Sequence, residues 1–193
     1  MEGINRALKD QALNKAFRTL ESIENKDVPC VFISYQRKDE VYASEIATYI
    51  TSKQIDVYFD LEDNDLKNYN QANDPKAVTT AIKKGLNNSE YMLVIVSPTT
   101  YLSAWVPFEV GYAFDIKGEK MKLLRHKGIL KSTLPSYLKV KEMLNGTIAL
   151  NTFLTSIRNN NRKIYENIIQ KGEKIKAFSE YNVNPLNKYL DNE

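Results

Sequence analysis

Cys30 is the only cysteine of the chain, so no internal disulfide can form, and this usage suits a reducing cytosol. His126 is the only histidine, and one Cys with one His leaves too few soft ligands for a zinc site. No glycine-rich fingerprint follows the first apolar strand, which counts against a dehydrogenase or a P-loop enzyme. No apolar run approaches the roughly 18 residues that span a bilayer, and no signal-peptide core opens the N-terminus. A soluble, cytoplasmic protein without membrane contact is therefore expected. The formal charge is only +3 and is spread along the chain, with no basic block of the kind that binds nucleic acid. Its densest part, Lys117 to Lys131, reads as a solvated edge. There is no internal repeat and no low-complexity tract.

A chain of 193 residues is long enough for one domain with a proper core and too short for two ordinary ones. The pattern divides it into an N-terminal helix over 1–26, a domain over 27–170 and a tail over 171–193. Ile4, Leu8, Phe17, Leu20 and Ile23 recur at helical spacing, so residues 3 to 24 predict an amphipathic helix. Val28 to Tyr35 is a continuous apolar run, the mark of a strand buried on both faces of a parallel sheet. Asp39 stands where it can cap a helix over 40–53, with Ala43, Ile46, Ala47 and Ile50 inward. Ile55 to Phe59 is a second strand.

The stretch from Asp60 to Asp74 is a long acidic and Asn-rich loop, and such loops in compact domains are usually functional. Asp60, Glu62 and Asn64 alternate as in a calcium loop, but the sharp-turn Gly and the closing Glu are missing, so no metal is expected. Asp74-Pro75 is an N-cap with proline at the first helical position, opening a helix to about Asn87. Tyr91 to Val96 predicts a third strand, Met121 to Arg125 a fourth and Thr147 to Leu150 a fifth. A short helix is expected near Pro135, a long one from Thr152 to Lys171, and a short one after Pro185.

Between the third and fourth strands lies the most informative helix. Ser103 is placed to cap it, Pro107 lies in its first turn and Gly118 can end it. At 100° per residue Trp105, Glu109, Tyr112, Ala113 and Ile116 share one face, with Glu109 near its centre. A carboxylate in an apolar stripe is costly unless it is paired, hydrogen-bonded or lining a cavity. Beside a large aromatic at the mouth of a sheet it would suit a flat cationic ring attached to a sugar. An ion pair with a Lys or Arg, with Trp105 as core, fits the same residues.

Strands alternating with helices predict an α/β fold, a five-stranded parallel sheet in the flavodoxin-like order 2-1-3-4-5. Ligands in such sheets bind beyond the carboxyl ends of the strands where the order reverses. That gathers Ser34, Tyr35, Asp60, Ser97, Trp105 and Glu109 around one crevice.

Phe32-Ile-Ser-Tyr35, Asp39, Val57-Tyr-Phe-Asp60 and Ser103-x-Trp105-x-x-x-Glu109, in this order, resemble the Toll/interleukin-1 receptor (TIR) domain family over residues 28 to about 165. The resemblance implies the flavodoxin-like sheet already inferred and, for many bacterial and plant members, cleavage of the nicotinamide–ribose bond of NAD. NAD would then be a substrate, and no separate cofactor is implied. It maps the catalytic glutamate onto Glu109 and its neighbouring Trp onto Trp105, places Ser34 and Tyr35 in the nicotinamide and ribose pocket, and makes the loop from Asp60 a mobile gate that also mediates assembly. The loop is Arg-free and a C-terminal Phe-Trp box is missing, unlike in animal receptor domains. The stand-alone architecture looks like the TIR components of Thoeris antiphage defence, which implies self-association and a separate effector that reads a nucleotide product.

Two other readings use the same residues: a non-catalytic TIR–TIR interaction module, and another N-glycosidic enzyme such as a nucleoside deoxyribosyltransferase. The first predicts that Glu109→Gln leaves function intact; the second predicts consumption of free nucleosides.

Overall fold

The computed structural model describes residues 2–7, 28–59, 74–170 and 184–192. Five parallel strands, β1 (Cys30–Ser34), β2 (Asp56–Tyr58), β3 (Tyr91–Val96), β4 (Met121–Arg125) and β5 (Met143–Leu144), form one sheet in the order β2-β1-β3-β4-β5. Every residue of β1 and β3 is buried, as strands covered on both faces require. Helices α1 (Glu40–Ser52), α2 (Pro75–Asn87), α3 (Val106–Lys117), α4 (Thr147–Asn160) and α5 (Arg162–Gln170) connect or follow the strands.

The pleat divides the core in two. Val31, Ile33 and Tyr35 pack with Ile46 and Ile50 of α1 and Leu150, Leu154 and Ile157 of α4. Cys30 and Phe32 pack on the other face with Ile82 and Leu86 of α2 and Val106, Val110 and Ala113 of α3. Successive strand residues point to opposite faces, so Ser34 continues the Cys30 and Phe32 side. β1 pairs with both β2 and β3, and the chain crosses over it between them, so the order reverses at β1 and β3.

Local chemistry explains the helix starts. Oδ1 of Asp74 accepts hydrogen bonds from the amides of Lys76 (3.1 Å) and Ala77 (3.0 Å), with Pro75 opening α2. Asp39 does not cap α1 in this way; it ends a 3₁₀ turn, Arg37–Asp39, and its carboxylate is used elsewhere.

Three elements differ from the sequence expectation. The fifth strand is Met143–Leu144 rather than 147–150. Gly146, at φ +100°, ends the strand segment, and its carbonyl accepts from the amide of Leu150 (3.1 Å), so Thr147 to Leu150 already belong to α4. The single helix expected to Lys171 is two: the side-chain amide of Asn161 donates back to the carbonyl of Ile157 (2.8 Å) and competes with the continuing helix. Beyond this break Tyr165 is buried and Ile169 is exposed. At the N-terminus, residues 2–7 are not helical. They run beside β2, with Asn5 bridged in parallel to Val57; the rest of the expected helix lies outside the described residues.

The expected short helices near Pro135 and after Pro185 are 3₁₀ turns, Lys131–Thr133, Ser136–Leu138 and Pro185–Lys188. The segment 184–192 packs back onto the first core: Leu186 and Leu190 are buried, the side-chain amide of Asn184 donates to the Tyr49 hydroxyl (3.1 Å), and Lys188 meets Glu45 of α1 (2.7 Å).

Candidate functional site

The helix that carries the site is built as its sequence predicts at both ends. Ser103 Oγ accepts from the amides of Trp105 (3.2 Å) and Val106 (3.1 Å), satisfying two amides at the start of α3. Gly118 terminates it at φ +49°, in the left-handed region. The inward stripe is Val106, Glu109, Val110, Ala113 and Lys117. Ile116, expected inward, is 54 % exposed, because the stripe is rotated so that Lys117 takes the buried place. Trp105 and Tyr112 are half-buried at the flank.

Glu109 is only 5 % exposed. The Ser34 hydroxyl, at the last position of β1, donates to Glu109 Oε2 at 2.5 Å. A short bond of this kind is expected for a hydroxyl facing a carboxylate, and it offsets part of the cost of desolvating the charge. The two residues are 75 apart in sequence. They meet because β1 ends at the switch point and α3 descends from the neighbouring strand β3.

The remaining residues expected at the crevice do not all gather at this pair. Trp105 is one turn earlier: the Glu109 amide donates to its carbonyl (2.8 Å), and its ring stands edge-on to Phe108, 6.1 Å between centroids. Tyr35 belongs to the other face of the sheet, where its ring lies 5.1 Å from that of Phe59. Ser97, just past β3, directs its hydroxyl to Asp39. Thr99 donates to the same carboxylate oxygen (2.8 Å), and the Ser97 amide donates to Thr100 Oγ1 (2.8 Å). Ser97 therefore ties the loop after β3 to the turn before α1. Asp60 and its loop lie outside the described residues.

Two roles were not visible in the sequence. Asp39 reads as a helix cap, yet it cross-links two loops of the crevice; the Ser97-x-Thr99-Thr100 cluster of hydroxyls was the available signal. Lys117 reads as a solvated basic residue, yet it is buried and its ammonium donates to the carbonyls of Leu86 (2.7 Å) and Ser89 at the end of α2. Burial lowers its pKa from the ordinary lysine range. Cys30 is fully buried beside the Ser89 hydroxyl, and burial pushes its thiol up to about 12.

Among the described residues no group of three or more His, Cys, Asp or Glu is placed to hold a metal ion, and no helix is long and apolar enough to cross a membrane. A cavity of about 450 Å³ lies beside the start of β3, lined by Arg6, Tyr58, Lys84, Asn87 and Glu90 among others. It shares no residue with the Ser34–Glu109 crevice.

In sequence comparison, no curated protein matches the chain. The model of the TIR domain matches residues 31–140, more than half of the chain, from β1 through α3 and β4 to the turns before β5. That span contains the parallel sheet's switch point, Ser34 and Glu109, and the chain accordingly belongs to the TIR domain family.

Proposed function

We propose that this protein cleaves the nicotinamide–ribose bond of NAD, with Glu109 as the catalytic carboxylate. The observation that carries the reading is a carboxylate 5 % exposed at the sheet's switch point, held by a serine hydroxyl at 2.5 Å. TIR domains include NAD-cleaving enzymes, so family and geometry favour the same chemistry.

Nicotinamide departs with the bonding electron pair as a neutral ring, so the leaving group needs no general acid. Positive charge develops at C1′ and the ring oxygen of the ribose, where a fixed carboxylate in a poorly solvated site stabilises it. Addition of water gives ADP-ribose and a proton; capture by an adenine nitrogen gives a cyclic ADP-ribose. Ser34 orients the carboxylate. Trp105 supplies aromatic surface for the charged ring, and Ser97 acts through the loop that it pins to Asp39. In the same reading the product is a nucleotide signal for a separate effector, as in Thoeris-like antiphage defence, and the protein works in the cytoplasm.

Nicotinamide release from NAD by concentrated wild type and Glu109→Gln, with nucleotide products resolved by mass, tests this. Release lost in the variant supports the enzyme, and the product mass separates hydrolysis from cyclisation. A folded, concentrated wild type that releases none overturns it.

One observation favours self-association, and with it the interaction-module reading. Val41 (68 % exposed), Tyr101 (68 %) and Leu102 (49 %) present apolar surface on the two segments that Asp39 ties together. If assembly were the whole function, Glu109→Gln would retain it and charged replacements at Tyr101 and Leu102 would abolish it.

A further inference from the structure

The N-terminal segment lies outside the span matched by the TIR model, yet it reaches the end of β2 through one side chain. Asn5 Nδ2 donates to the carbonyl of Phe59 (3.1 Å), and Asn5 Oδ1 accepts from the amide of Phe59 (3.0 Å). A carboxamide is the side chain that offers one donor and one acceptor in the geometry of a peptide group, so Asn5 extends the ladder past the point where the backbone bridge to Val57 stops. Oδ1 also accepts from the amide of Ala7 (3.1 Å), which fixes the rotamer.

The segment is seated tightly. The Val57 amide donates to the Ile4 carbonyl (2.8 Å), the Arg6 amide donates to the Val57 carbonyl (2.8 Å), and both Asp56 oxygens are taken, by the Ile4 amide (2.9 Å) and Arg6 Nε (2.8 Å). At Gly3 a Cβ would fall 2.1 Å from the carbonyl oxygen of Ile55, so the backbone approaches as closely as glycine allows.

Phe59 is the link to the site. Its ring packs on Tyr35, the residue after Ser34, and Ser34 holds Glu109. We propose that Asn5 is a positioning residue for the carboxylate site: by fixing the Phe59 peptide it fixes the Phe59–Tyr35 ring contact, and through it the end of β1 that aims the Ser34 hydroxyl. This rests on the NAD-cleaving reading for its kinetic readout alone. A displacement of about 1 Å at such a bond is enough to lower turnover.

The test compares Asn5→Ala with Arg6→Leu. Both loosen the same segment, but the Arg6 side chain anchors to Asp56, Val28 and Asn88 rather than to Phe59. Nicotinamide release from NAD is measured over a range of NAD concentrations, together with thermal melting and hydrogen exchange of peptides covering residues 32–36. Asn5→Ala is expected to lose about tenfold in kcat with KM changed less than about twofold, and to exchange faster at 32–36. Arg6→Leu is expected to melt at a comparably reduced temperature with kcat and exchange at 32–36 near wild type. Wild-type kcat and exchange in Asn5→Ala overturn the proposal, as does an equal kcat loss in Arg6→Leu. Should the wild type release no nicotinamide, the NAD reading fails by itself, and the exchange comparison alone decides whether Asn5 positions β1.

Discussion

Glu109 and Lys117 lie on the buried side of one helix, and the fold answers each charge differently. Glu109 receives a hydroxyl from Ser34 at the end of β1; Lys117 is spent on backbone carbonyls. Glu109→Gln keeps an acceptor for Ser34 and removes a buried charge, so it is expected to abolish nicotinamide release while the melting temperature stays level or rises. Ser34→Ala leaves the carboxylate short of one bond. It is expected to cost about 1–2 kcal/mol in denaturant unfolding and about tenfold in kcat. Cys30 should be inert to a thiol reagent at pH 8 in the folded protein and react fully in guanidinium, because its raised pKa leaves almost no thiolate. Of these residues, Glu109 was legible from helical periodicity and Cys30 from its place in an apolar run. Lys117 was not, because a long side chain can bury its stem on a helix that reads as amphipathic in either rotation.

At the scale of elements, the strands that form the switch point announce themselves as unbroken apolar runs, and α2 by its Asp-Pro start. The fifth strand did not: two residues are too few to carry a period, and Thr-Ile-Ala-Leu offered a stronger β-like pattern next to it. The split between α4 and α5 was hidden for a related reason, since the break is a side-chain bond from Asn161 rather than a Gly or Pro. Helix α2 depends on caps at both ends. Asp74→Ala is expected to cost about 1 kcal/mol. Lys117→Met, which removes the ammonium from the Ser89 carbonyl and leaves the Leu86 carbonyl only the Ser89 amide (3.3 Å), should cost about 1–3 kcal/mol, read from chemical denaturation midpoints.

For the molecule as a whole, buried protons set the response to alkali. Burial raises the pKa of Cys30, Tyr42 and Tyr165, so above their ordinary values the unfolded chain releases protons that the folded one keeps. Their contribution to stability is complete below about pH 8.5 and is lost as pH climbs toward the folded values. Lys117 works in the opposite direction, its depressed pKa adding stability as pH rises toward the ordinary lysine range. Burial raises Tyr49 and Tyr137 as well, so the raised groups outweigh Lys117 and predict a melting temperature that falls between pH 9 and pH 11, by a scan in matched buffers. At the acid end, the hydrogen bond from Lys188 holds the Glu45 carboxyl below its usual range. Docking of the 184–192 segment on α1 is therefore favoured above the ordinary glutamate pKa and weakens as pH falls through the lowered one.

The N-terminal segment has one more consequence, for how the protein fails. β2 is the last strand on its side of the sheet, and the backbone groups of Val57 that point outward are taken by Ile4 and Arg6. Without them β2 would offer bare donors and acceptors to any extended chain, the template from which edge-to-edge aggregation starts. Loss of residues 2–7 by proteolysis should therefore convert a well-behaved particle into one that scatters light on standing.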